Sequence, residues 1–424
     1  MSRRKILAFM FAFIALGSAF AQAKKPAERT PDGKIKITVW YALSGTNGEA
    51  FKAQVDGFNK SQAKIFVEPI FSGSYADTAT KMVPALEAKT EPNVALMAAG
   101  PLYTGAYGNW VILDYINADK EFNKNDIFPG MWEYSKFDGK VAAVPYNIST
   151  PMLYYNKDIL AAAGIDMSKP PVTWADLLVL AKKAKAAGNF NKSEDFWGFE
   201  VSDAPWLFKA MLAQNGNPVV ETKAKKAVVP VYDRADAVEV ATYWKKLVDD
   251  GLMPAAQHAN AEKRFLAGNA AFIVASSSRI ARWTGSATFG LGAFTLPRFK
   301  KASVPLGGGG LVLFDKGKEA NDAGWQLIKY LMKVENQSTF AMTTGYVPVR
   351  KSSLSVPEVK AASETPLYKI GLAQLADSWA YWHFDEMGTM DLLIGQALER
   401  LEKGKQTPSE AMSSSVAELK KEME

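Results

Sequence analysis

The sequence predicts an α/β protein with two lobes, and three observations lead to this class. The chain has 424 residues, and a single hydrophobic core usually supports a shorter chain than this, so two or three lobes are expected. The first hundred residues alternate strand and helix patterns, which is typical of a wound α/β lobe. No internal repeat and no Pro/Gly/Ser-rich linker divides the chain, so we expect more than one strand to cross between the lobes.

Strands are predicted where polar and apolar residues alternate, or where a short apolar run is bounded by turn residues. Residues 34–41 alternate in this way and are rich in β-branched side chains. Residues 93–97, Asn-Val-Ala-Leu-Met, form an apolar run suited to a buried parallel strand. The other predicted strands are the segment through Ile65, Val67 and Ile70, and residues 270–275, 289–297 and 311–314.

Helices are predicted from apolar periodicity together with capping residues. Three helices have a capping-box pattern at their start, namely Ser74 with Asp77, Thr173 with Asp176, and Thr407 with Glu410. Gly188 is expected to end the second of these, and Pro408 takes the first helical position of the third. Two further helices are predicted around Phe51, Val55 and Phe58, after a polar loop at 44–48, and over residues 236–250.

The composition excludes several kinds of site. The chain has no cysteine, which excludes disulfides, thiolate nucleophiles, Cys-ligated zinc, iron–sulfur clusters and a lipid-bearing cysteine. Its two histidines, His258 and His383, leave little for a His-based metal or catalytic site. We therefore predict no metal and no cofactor.

The N-terminus has the three-part pattern of a secretory signal. A basic start at residues 3–5 precedes an apolar run at 6–20 and an A-x-A cleavage site at 21–23. The apolar run is short for a transmembrane span. We predict a signal peptide over residues 1–23 and a mature protein that is soluble in the periplasm and carries no lipid anchor.

The net charge argues against a nucleic-acid partner. It is +6 for the whole chain, but three positive charges lie in the predicted signal peptide, and no Asp or Glu precedes residue 24, which leaves +3. There is also no dense basic stretch with interleaved aromatic residues. We expect no nucleic acid among the partners.

The common enzyme motifs are absent from the sequence. It has no G-x-S-x-G, no H-E-x-x-H, no G-x-x-x-x-G-K-[ST] and no G-x-G-x-x-G after a strand. We therefore predict that the protein is not an enzyme. A secreted glycoside hydrolase stays open as an alternative, because the spatial separation of its Asp and Glu carboxylates is not visible in the sequence.

Aromatic and small polar residues are concentrated at loops and element ends. Such residues suit a polyol or sugar site, where flat apolar faces contact C–H surfaces and hydroxyls or backbone N–H groups hydrogen-bond to the ligand. Packing in a core is the alternative for any one of these aromatic residues. They are Trp40, Tyr41, Tyr75, Trp206, Ser276 to Arg279, the glycine run 307–310, residues 344–346 and residues 379–384.

Two polar features of the sequence are each consistent with a role in ligand binding or with a structural role. The glycine run either presents N–H donors to a ligand or supplies a tight turn before a strand. Arg279 follows three serines near a predicted helix start. It either holds an anionic group together with helix N–H groups or lies on the solvated surface.

The order of local patterns along the chain resembles the extracellular solute-binding proteins of ABC importers. The matching patterns are Tyr-Asn-Lys-Asp at 155–158, Ala-Gly at 163–164 and Pro-Pro-Val-Thr-Trp at 170–174. Within this sugar-binding family, the chain is most similar to the glycerol-3-phosphate-binding branch. That similarity lies in Tyr75 after Ser-Gly-Ser, Asn-Ile-Ser-Thr-Pro at 147–151, Ala-Ser-Ser-Ser at 275–278, the glycine run and Thr-Gly-Tyr-Val-Pro at 344–348.

The resemblance implies a two-lobed periplasmic-binding-protein clamshell with discontinuous lobes and a ligand cleft between them. The expected lobes are N-terminal, 34–145 plus 292–330, and C-terminal, 146–291 plus 331–424, joined by strands near 143–148 and 289–296. Closure on a small-molecule ligand would present both lobes to a membrane permease. We expect the protein to act as a monomer.

The resemblance also implies a ligand site. The positions that match the branch's ligand-binding places are Tyr75, Ser149, Ser276, Ser277, Ser278, Gly308, Gly309 and Tyr346. Trp206 and Arg279 join them as candidates from the residue pattern. Two positions depart from the branch: residues 97–100 lack its acidic residue, and Asp391 stands where it has a phosphate-binding arginine.

These departures leave the ligand open. A carboxylate would repel a phosphate, so either Arg279 replaces the arginine, the alignment is shifted, or the ligand differs. Glycerol-3-phosphate or a glycerophosphodiester is favoured; in glycerophosphocholine, the choline cation would face Asp391 or the aromatic residues. A neutral sugar or oligosaccharide, which needs no phosphate partner, is the alternative.

Overall fold

The computed structural model describes residues 26–424 except 99–110, 138, 189–192, 223–227, 380–383 and 385. The predicted signal peptide, residues 1–23, lies outside this part of the chain. The longer strands are β1 Ile35–Tyr41, β2 Ile65–Phe71, β3 Val94–Ala98, β4 Val144–Ser149, β5 Pro151–Asn156, β6 Trp197–Val201, β7 Ala270–Ser276, β8 Leu291–Phe294 and β9 Gly307–Leu313.

The first sheet has five strands in the order β2-β1-β3-β9-β4. Strand β1 is parallel to β2 and β3, as the strand–helix alternation predicted, whereas β9 runs antiparallel to both β3 and β4. The side chains of β3 are buried as far as Met97, which confirms the prediction of a buried parallel strand there. This sheet and the helices packed on it form the first lobe.

The second sheet has four strands in the order β8-β5-β7-β6. Strand β7 is parallel to β6, and β5 is antiparallel to β7 and β8. Since β4 ends at Ser149 in the first sheet and β5 begins at Pro151 in the second, the chain crosses between sheets at Thr150. It returns between β8 and β9. The second sheet and its helices form the second lobe of this α/β fold.

The helices divide between two large cores. The longer helices are α1 Gly45–Ser61, α2 Tyr75–Glu87, α3 Val111–Ala118, α4 Pro129–Tyr134, α5 Lys157–Ala162, α6 Trp174–Ala187, α7 Ala204–Gln214, α8 Ala235–Asp249, α9 Ala261–Leu266, α10 Ile280–Ser286, α11 Lys318–Leu331, α12 Val334–Thr344, α13 Pro357–Ser363, α14 Pro366–Ala373, α15 Met387–Glu402 and α16 Pro408–Glu422. Helices α1, α11 and α12 contribute to the core of the first lobe, and α6, α7, α8, α15 and α16 to that of the second.

The capping patterns in the sequence are confirmed. Ser74, Thr173 and Thr407 each accept a hydrogen bond from the third helical residue, whose carboxylate accepts one from the cap backbone. Gly188 caps the C-terminus of α6 at φ +77°, as predicted. The polar loop predicted at 44–48 is wrong, because α1 already begins at Gly45.

The residues that form each sheet and core differ from the predicted lobe bounds. Phe340, Val347 and Val349 lie in the core of the first lobe, although the prediction assigned residues 331–424 to the C-terminal lobe. Strand β4 stays in the first sheet beyond residue 145, and β8 belongs to the second sheet. We propose a first lobe of 35–149 plus 304–349 and a second of 151–294 plus 387–422, since hydrogen-bonded neighbours define a sheet.

Among the described helices, none combines the length and apolar character that a membrane span requires. The described residues also contain no group of three or more His, Asp or Glu side chains placed to hold a metal ion.

Candidate functional site

The glycine run forms the first half of β9 and is not a turn before it. At Gly308, where φ is +100°, a Cβ atom would lie 1.6 Å from the backbone oxygen of Asn147. At Gly309 a Cβ atom would lie 2.6 Å from the Met97 backbone oxygen and 2.9 Å from the Tyr75 hydroxyl. The glycines therefore allow both neighbouring strands and one tyrosine to approach the β9 backbone closely.

Tyr75 is the first residue of α2, directly after the capping residue Ser74. The Ser74 side chain accepts a hydrogen bond from the Asp77 N–H at 3.1 Å, and its own N–H donates to Asp77 Oδ2 at 2.8 Å. This capping box fixes the direction of the first turn. The Tyr75 hydroxyl consequently lies over Gly309, 2.9 Å from Asn147 Nδ2 and 3.3 Å from Asn147 Oδ1.

Tyr346 follows α12, whose C-terminus is capped by Gly345 with φ +89°. Its ring stacks on Phe340 with a 5.7 Å centroid separation. Burial raises the pKa of the Tyr346 phenol, and the positive charge of Arg279, together with the polar side chains of Asn147, Ser278 and Asn47, offsets only part of that effect. The hydroxyl therefore stays protonated at neutral pH and is available as a donor.

The three serines follow β7 in a short 3-10 turn. Ser276 caps this turn by accepting from the Ser278 N–H at 3.2 Å, and the two hydroxyl oxygens lie 2.9 Å apart. Ser277 is fully buried, and its hydroxyl accepts from the N–H of Thr150 at 3.2 Å. The Ser276 and Ser278 hydroxyls thus lie together at the end of β7, whereas the Ser277 hydroxyl holds the crossing between the lobes.

Arg279 is neither an unpaired cation nor a solvated surface residue. Its Nε lies 2.8 Å and 3.0 Å from the two carboxylate oxygens of Glu262, and its Nη1 donates to the Ser278 hydroxyl at 3.3 Å. Glu262 also lies 3.9 Å from a guanidinium nitrogen of Arg282. Two cations therefore share one carboxylate beside Ser278 and Tyr346, which leaves the local charge positive.

Trp206 brings the second lobe into contact with the glycine run. It lies in the first turn of α7, where its N–H donates to Asp203 Oδ1 at 3.0 Å. A Cβ atom on Gly307 would lie 2.8 Å from Trp206 Cζ2 and 3.0 Å from the Ser149 hydroxyl oxygen. The indole ring therefore lies against the start of β9, next to Ser149. The indole Nε1 is buried and makes no hydrogen bond within the described chain.

These residues come from both α/β lobes, and the comparisons with known proteins agree with a two-lobed fold. The family model for bacterial extracellular solute-binding proteins matches residues 53–366. The chain belongs to this family. It is accordingly a solute-binding protein of an ABC importer, with a small-molecule ligand and a membrane permease as partner.

Two relatives and two solved structures show the extent of the similarity. The sn-glycerol-3-phosphate-binding periplasmic protein UgpB of Agrobacterium fabrum is 28% identical over 87% of this chain and 85% of its own length. That of Rhizobium meliloti is 27% identical over 84% of each chain. UgpB from Mycobacterium tuberculosis, solved with glycerophosphocholine, superposes with a TM-score of 0.80 at 22% identity, covering 92% of this chain and 99% of that one. The cyclic alpha-maltosyl-1,6-maltose binding protein from Arthrobacter globiformis superposes with a TM-score of 0.75 at 22% identity. The match covers 92% of this chain and 99% of that one.

Asp391 of this solute-binding protein has a partner that the sequence did not reveal. Its carboxylate accepts a hydrogen bond from the ammonium group of Lys209, whose side chain is 1% exposed. Lys209 lies one turn after Trp206 on α7. Lys209 therefore offsets part of the negative charge at Asp391, and the carboxylate of Asp203 interacts with the same lysine.

Three further residues belong to the cluster and were not predicted from the sequence as site residues. Asn147 donates a hydrogen bond to the Tyr75 hydroxyl, Glu262 pairs with Arg279, and the Asn47 side chain acts to lower the pKa of Tyr346. Asn47 lies in the first turn of α1, where the sequence predicted a polar loop, and Asn147 lies within β4, in the Asn-Ile-Ser-Thr-Pro pattern. Glu262 carried no signal, because it lies on the short helix α9, 17 positions before Arg279.

The aromatic segment at 379–384 is only partly described. Trp379 lies in a two-residue strand that pairs with Val304–Pro305, and Phe384 is buried in the core of the second lobe. Residues 380–383 lie outside the described residues, as do 99–100 of the segment 97–100. Met97 is fully buried in β3, so its side chain belongs to the core.

Proposed function

We propose that this protein is the periplasmic binding component of an importer for glycerol-3-phosphate or a glycerophosphodiester such as glycerophosphocholine. It captures the ligand by closure of the cleft and delivers it to the membrane permease without chemical turnover. It is secreted through the signal peptide 1–23, has no lipid anchor and acts as a monomer.

The observation that carries this proposal is the positive charge beside Tyr346. Arg279 and Arg282 share Glu262, the Ser278 hydroxyl accepts a hydrogen bond from the Arg279 guanidinium, and the charge of Arg279 acts to lower the pKa of Tyr346. A phosphate oxygen needs a cation together with several hydrogen-bond donors, and charge-assisted hydrogen bonds of this kind are the stronger ones. Tyr75 and the Gly308 and Gly309 backbone would supply further donors to the phosphate or glycerol oxygens.

The relatives' names support the same substrate class. Both are named for glycerol-3-phosphate, and the solved UgpB from Mycobacterium tuberculosis holds glycerophosphocholine. Because Asp391 is paired with Lys209 in this chain, we propose that Arg279 takes the place of the branch's phosphate-binding arginine.

A neutral sugar or oligosaccharide is the second candidate. The Trp206 indole offers a flat face at the start of the glycine run, and such faces suit the C–H surfaces of sugars. The Arthrobacter globiformis neighbour is named for a cyclic maltosyl maltose. A secreted glycoside hydrolase is the third candidate, and it requires turnover of a glycoside.

Calorimetric titration decides between these ligands. The mature protein is unfolded and refolded to remove carried-over ligand, then titrated with glycerol-3-phosphate, glycerophosphocholine and maltose. We expect tight binding of a phosphate compound, and at least about a hundredfold loss of affinity in Arg279→Ala, since a charged partner is removed.

Arg234→Ala is the matched control. Arg234 also forms a bidentate pair, with Glu221, but lies outside the cluster. The control should leave the affinity unchanged. Binding of maltose alone would replace the phosphate proposal by the sugar proposal, and hydrolysis of a glycoside would contradict both.

A further inference from the structure

Gln374 is a buried residue at the place where the chain crosses between the lobes. It directly follows α14, begins a 3-10 turn and is 3% exposed. Its Nε2 donates to the Pro151 backbone oxygen at 2.9 Å, and its Oε1 accepts from the Leu296 N–H at 2.8 Å. Both ends of the amide therefore hold backbone, and movement away from either partner would leave a buried polar group unpaired.

The two backbone partners lie where β5 and β8 separate. These strands are paired antiparallel as far as Leu153 opposite Phe294, and two further residues in this register would bring Pro151 opposite Leu296. The chain leaves the second sheet here in both segments, before Pro151 and after Leu296. The Gln374 amide accepts from one backbone and donates to the other, as a peptide group would, so it adds one side-chain rung to the ladder.

The crossing at Thr150 is held by two other segments of the chain. Its N–H donates to the Ser277 hydroxyl at 3.2 Å, and its backbone oxygen accepts from the Ser277 N–H at 2.8 Å. Its own hydroxyl lies 3.5 Å from Gln374 Nε2. Helix α14, which places Gln374, is tied to the first lobe, because the Tyr368 hydroxyl lies 3.2 Å from two backbone oxygens in the last turn of α12. Gln374 thus connects the first lobe with both segments that leave the second sheet.

We infer that Gln374 is a positioning residue for closure of the lobes, because it keeps the crossing at Thr150 and the one after Leu296 together, so that both rotate as a single hinge. Hinge closure concentrates the backbone rotation in a few residues at element ends. If the two crossings rotated separately, the lobes would have more relative orientations to give up on closing. Gln374 does not need to contact the ligand for this role. The effect on ligand affinity rests on the proposed function, whereas the coupling of the crossings does not.

The coupling is tested without ligand by the distance between the lobes. The chain has no cysteine, so Lys60→Cys on α1 and Lys420→Cys on α16, both at exposed positions, allow a spin label to be attached to each lobe. Pulsed electron resonance then gives the distribution of the distance between the labels. We expect Gln374→Leu to broaden this distribution about twofold, because the crossings lose their common partner. A width equal to that of the labelled protein with Gln374 would overturn the inference.

Gln54→Leu is the matched control for a purely structural effect. Gln54 is 9% exposed, and both ends of its amide are bonded within the first lobe, Nε2 to the Asn336 backbone oxygen at 2.6 Å and Oε1 to the Tyr146 hydroxyl at 2.6 Å. This change should lower the thermal midpoint, as Gln374→Leu does, but leave the width of the distance distribution as it is. Equal broadening in both variants would contradict a special role of Gln374.

Hydrogen exchange gives a second test that needs no substitution, and it decides the inference if Gln374→Leu does not fold. The Leu296 N–H is held by Gln374, and the Ser277 N–H is held by the Thr150 backbone oxygen. If the two crossings open as one unit, both amides share one opening equilibrium, and their protection factors should agree within about threefold. A larger difference would show that the crossings open separately and would overturn the inference.

The effect on affinity is measured by calorimetric titration with the phosphate compound that binds the native protein. Gln374→Leu should weaken binding about tenfold, since a loosely coupled hinge loses more freedom on closing, whereas Gln54→Leu should not change the affinity. Unchanged affinity in Gln374→Leu would contradict this part. If none of the test compounds binds, the proposed function fails, and the label distances and the hydrogen exchange still decide the role of Gln374.

Discussion

Tyr346 combines a buried ring with a phenol that senses charged and polar groups of both lobes. The ring stacks on Phe340 in the first lobe, and Arg279 and Ser278 of the second lobe act to lower the pKa of the phenol against the effect of burial. A substitution here removes a packed ring and a donor together. We expect Tyr346→Ala to weaken ligand binding at least about tenfold with the fold intact, and titration calorimetry with a circular dichroism control measures this. An unchanged affinity would remove Tyr346 from the site.

The protonation of Tyr346 gives a pH test at the same residue. Burial raises its pKa above the ordinary value near 10, so the hydroxyl keeps its proton through pH 6–9 and its contribution to binding should not change there. A phosphate monoester changes charge near pH 6. Affinity for glycerol-3-phosphate should therefore vary between about pH 5 and 7, while affinity for a phosphodiester stays level. A strong pH dependence for the diester would indicate another titrating group in the site.

Gly308 shows the steric requirement of the glycine run. Alanine there would combine φ +100° with a Cβ atom 1.6 Å from the Asn147 backbone oxygen. We expect Gly308→Ala to lower the free energy of unfolding by about 3 kcal/mol or more. Gly404→Ala is the control, because φ is +67° with nothing within 4 Å, and it should cost only about 1 kcal/mol of backbone strain. If urea denaturation shows that both variants lose the same free energy of unfolding, β4 and β9 separate easily enough to accommodate the Cβ atom.

At the scale of elements, two capping boxes of the same kind have different consequences. Ser74 caps α2, which begins with Tyr75, whereas Thr407 caps α16 in the second lobe's core. Ser74→Ala and Thr407→Ala should each lower the free energy of unfolding by about 1 kcal/mol. Only Ser74→Ala should also weaken ligand binding, since it loosens the turn that places Tyr75. A similar loss of affinity in both variants would mean that overall stability, and not the α2 cap, controls the site.

The elements themselves follow the sequence closely. The strands β1, β2, β3 and β7 lie where apolar patterns and turn residues predicted them, and the helices with capping boxes begin at their predicted capping residues. Local signals succeed here because caps and periodicity act within a few residues of each other. The glycine run was the exception. Four glycines resemble a turn, and only the hydrogen bonds of β3 and β4 on either side make them a strand.

At the scale of the whole molecule, the contact of Trp206 with Gly307 predicts how the lobes respond to ligand. The indole of the second lobe lies against a glycine of the first, where a Cβ atom would lie 2.8 Å from the ring. Gly307 has no positive φ, so Gly307→Ala mainly fills the space between the lobes. We expect ligand to reduce the radius of gyration of the native protein in small-angle scattering, and Gly307→Ala to diminish that reduction and to weaken binding. The Gly307→Ala/Trp206→Ala double variant should regain closure. If Gly307→Ala closes normally, the contact does not limit the motion.

The sequence by itself determined the α/β class, most element positions, the capping residues and the resemblance to solute-binding proteins. These features depend on apolar periodicity, on capping and turn residues and on the order of short sequence patterns, all of which are local. It also selected the tyrosines and the serines that the fold brings to one cluster.

Only the tertiary structure decided which charges are paired and which polar groups meet. Arg279 with Glu262, and Asp391 with Lys209, join residues 17 and 182 positions apart. Asn147 meets Tyr75 across 72 positions. Electrostatic and hydrogen-bond partners are set by distances of a few ångströms in space, and neighbouring strands and helices bring such residues together regardless of their separation along the chain.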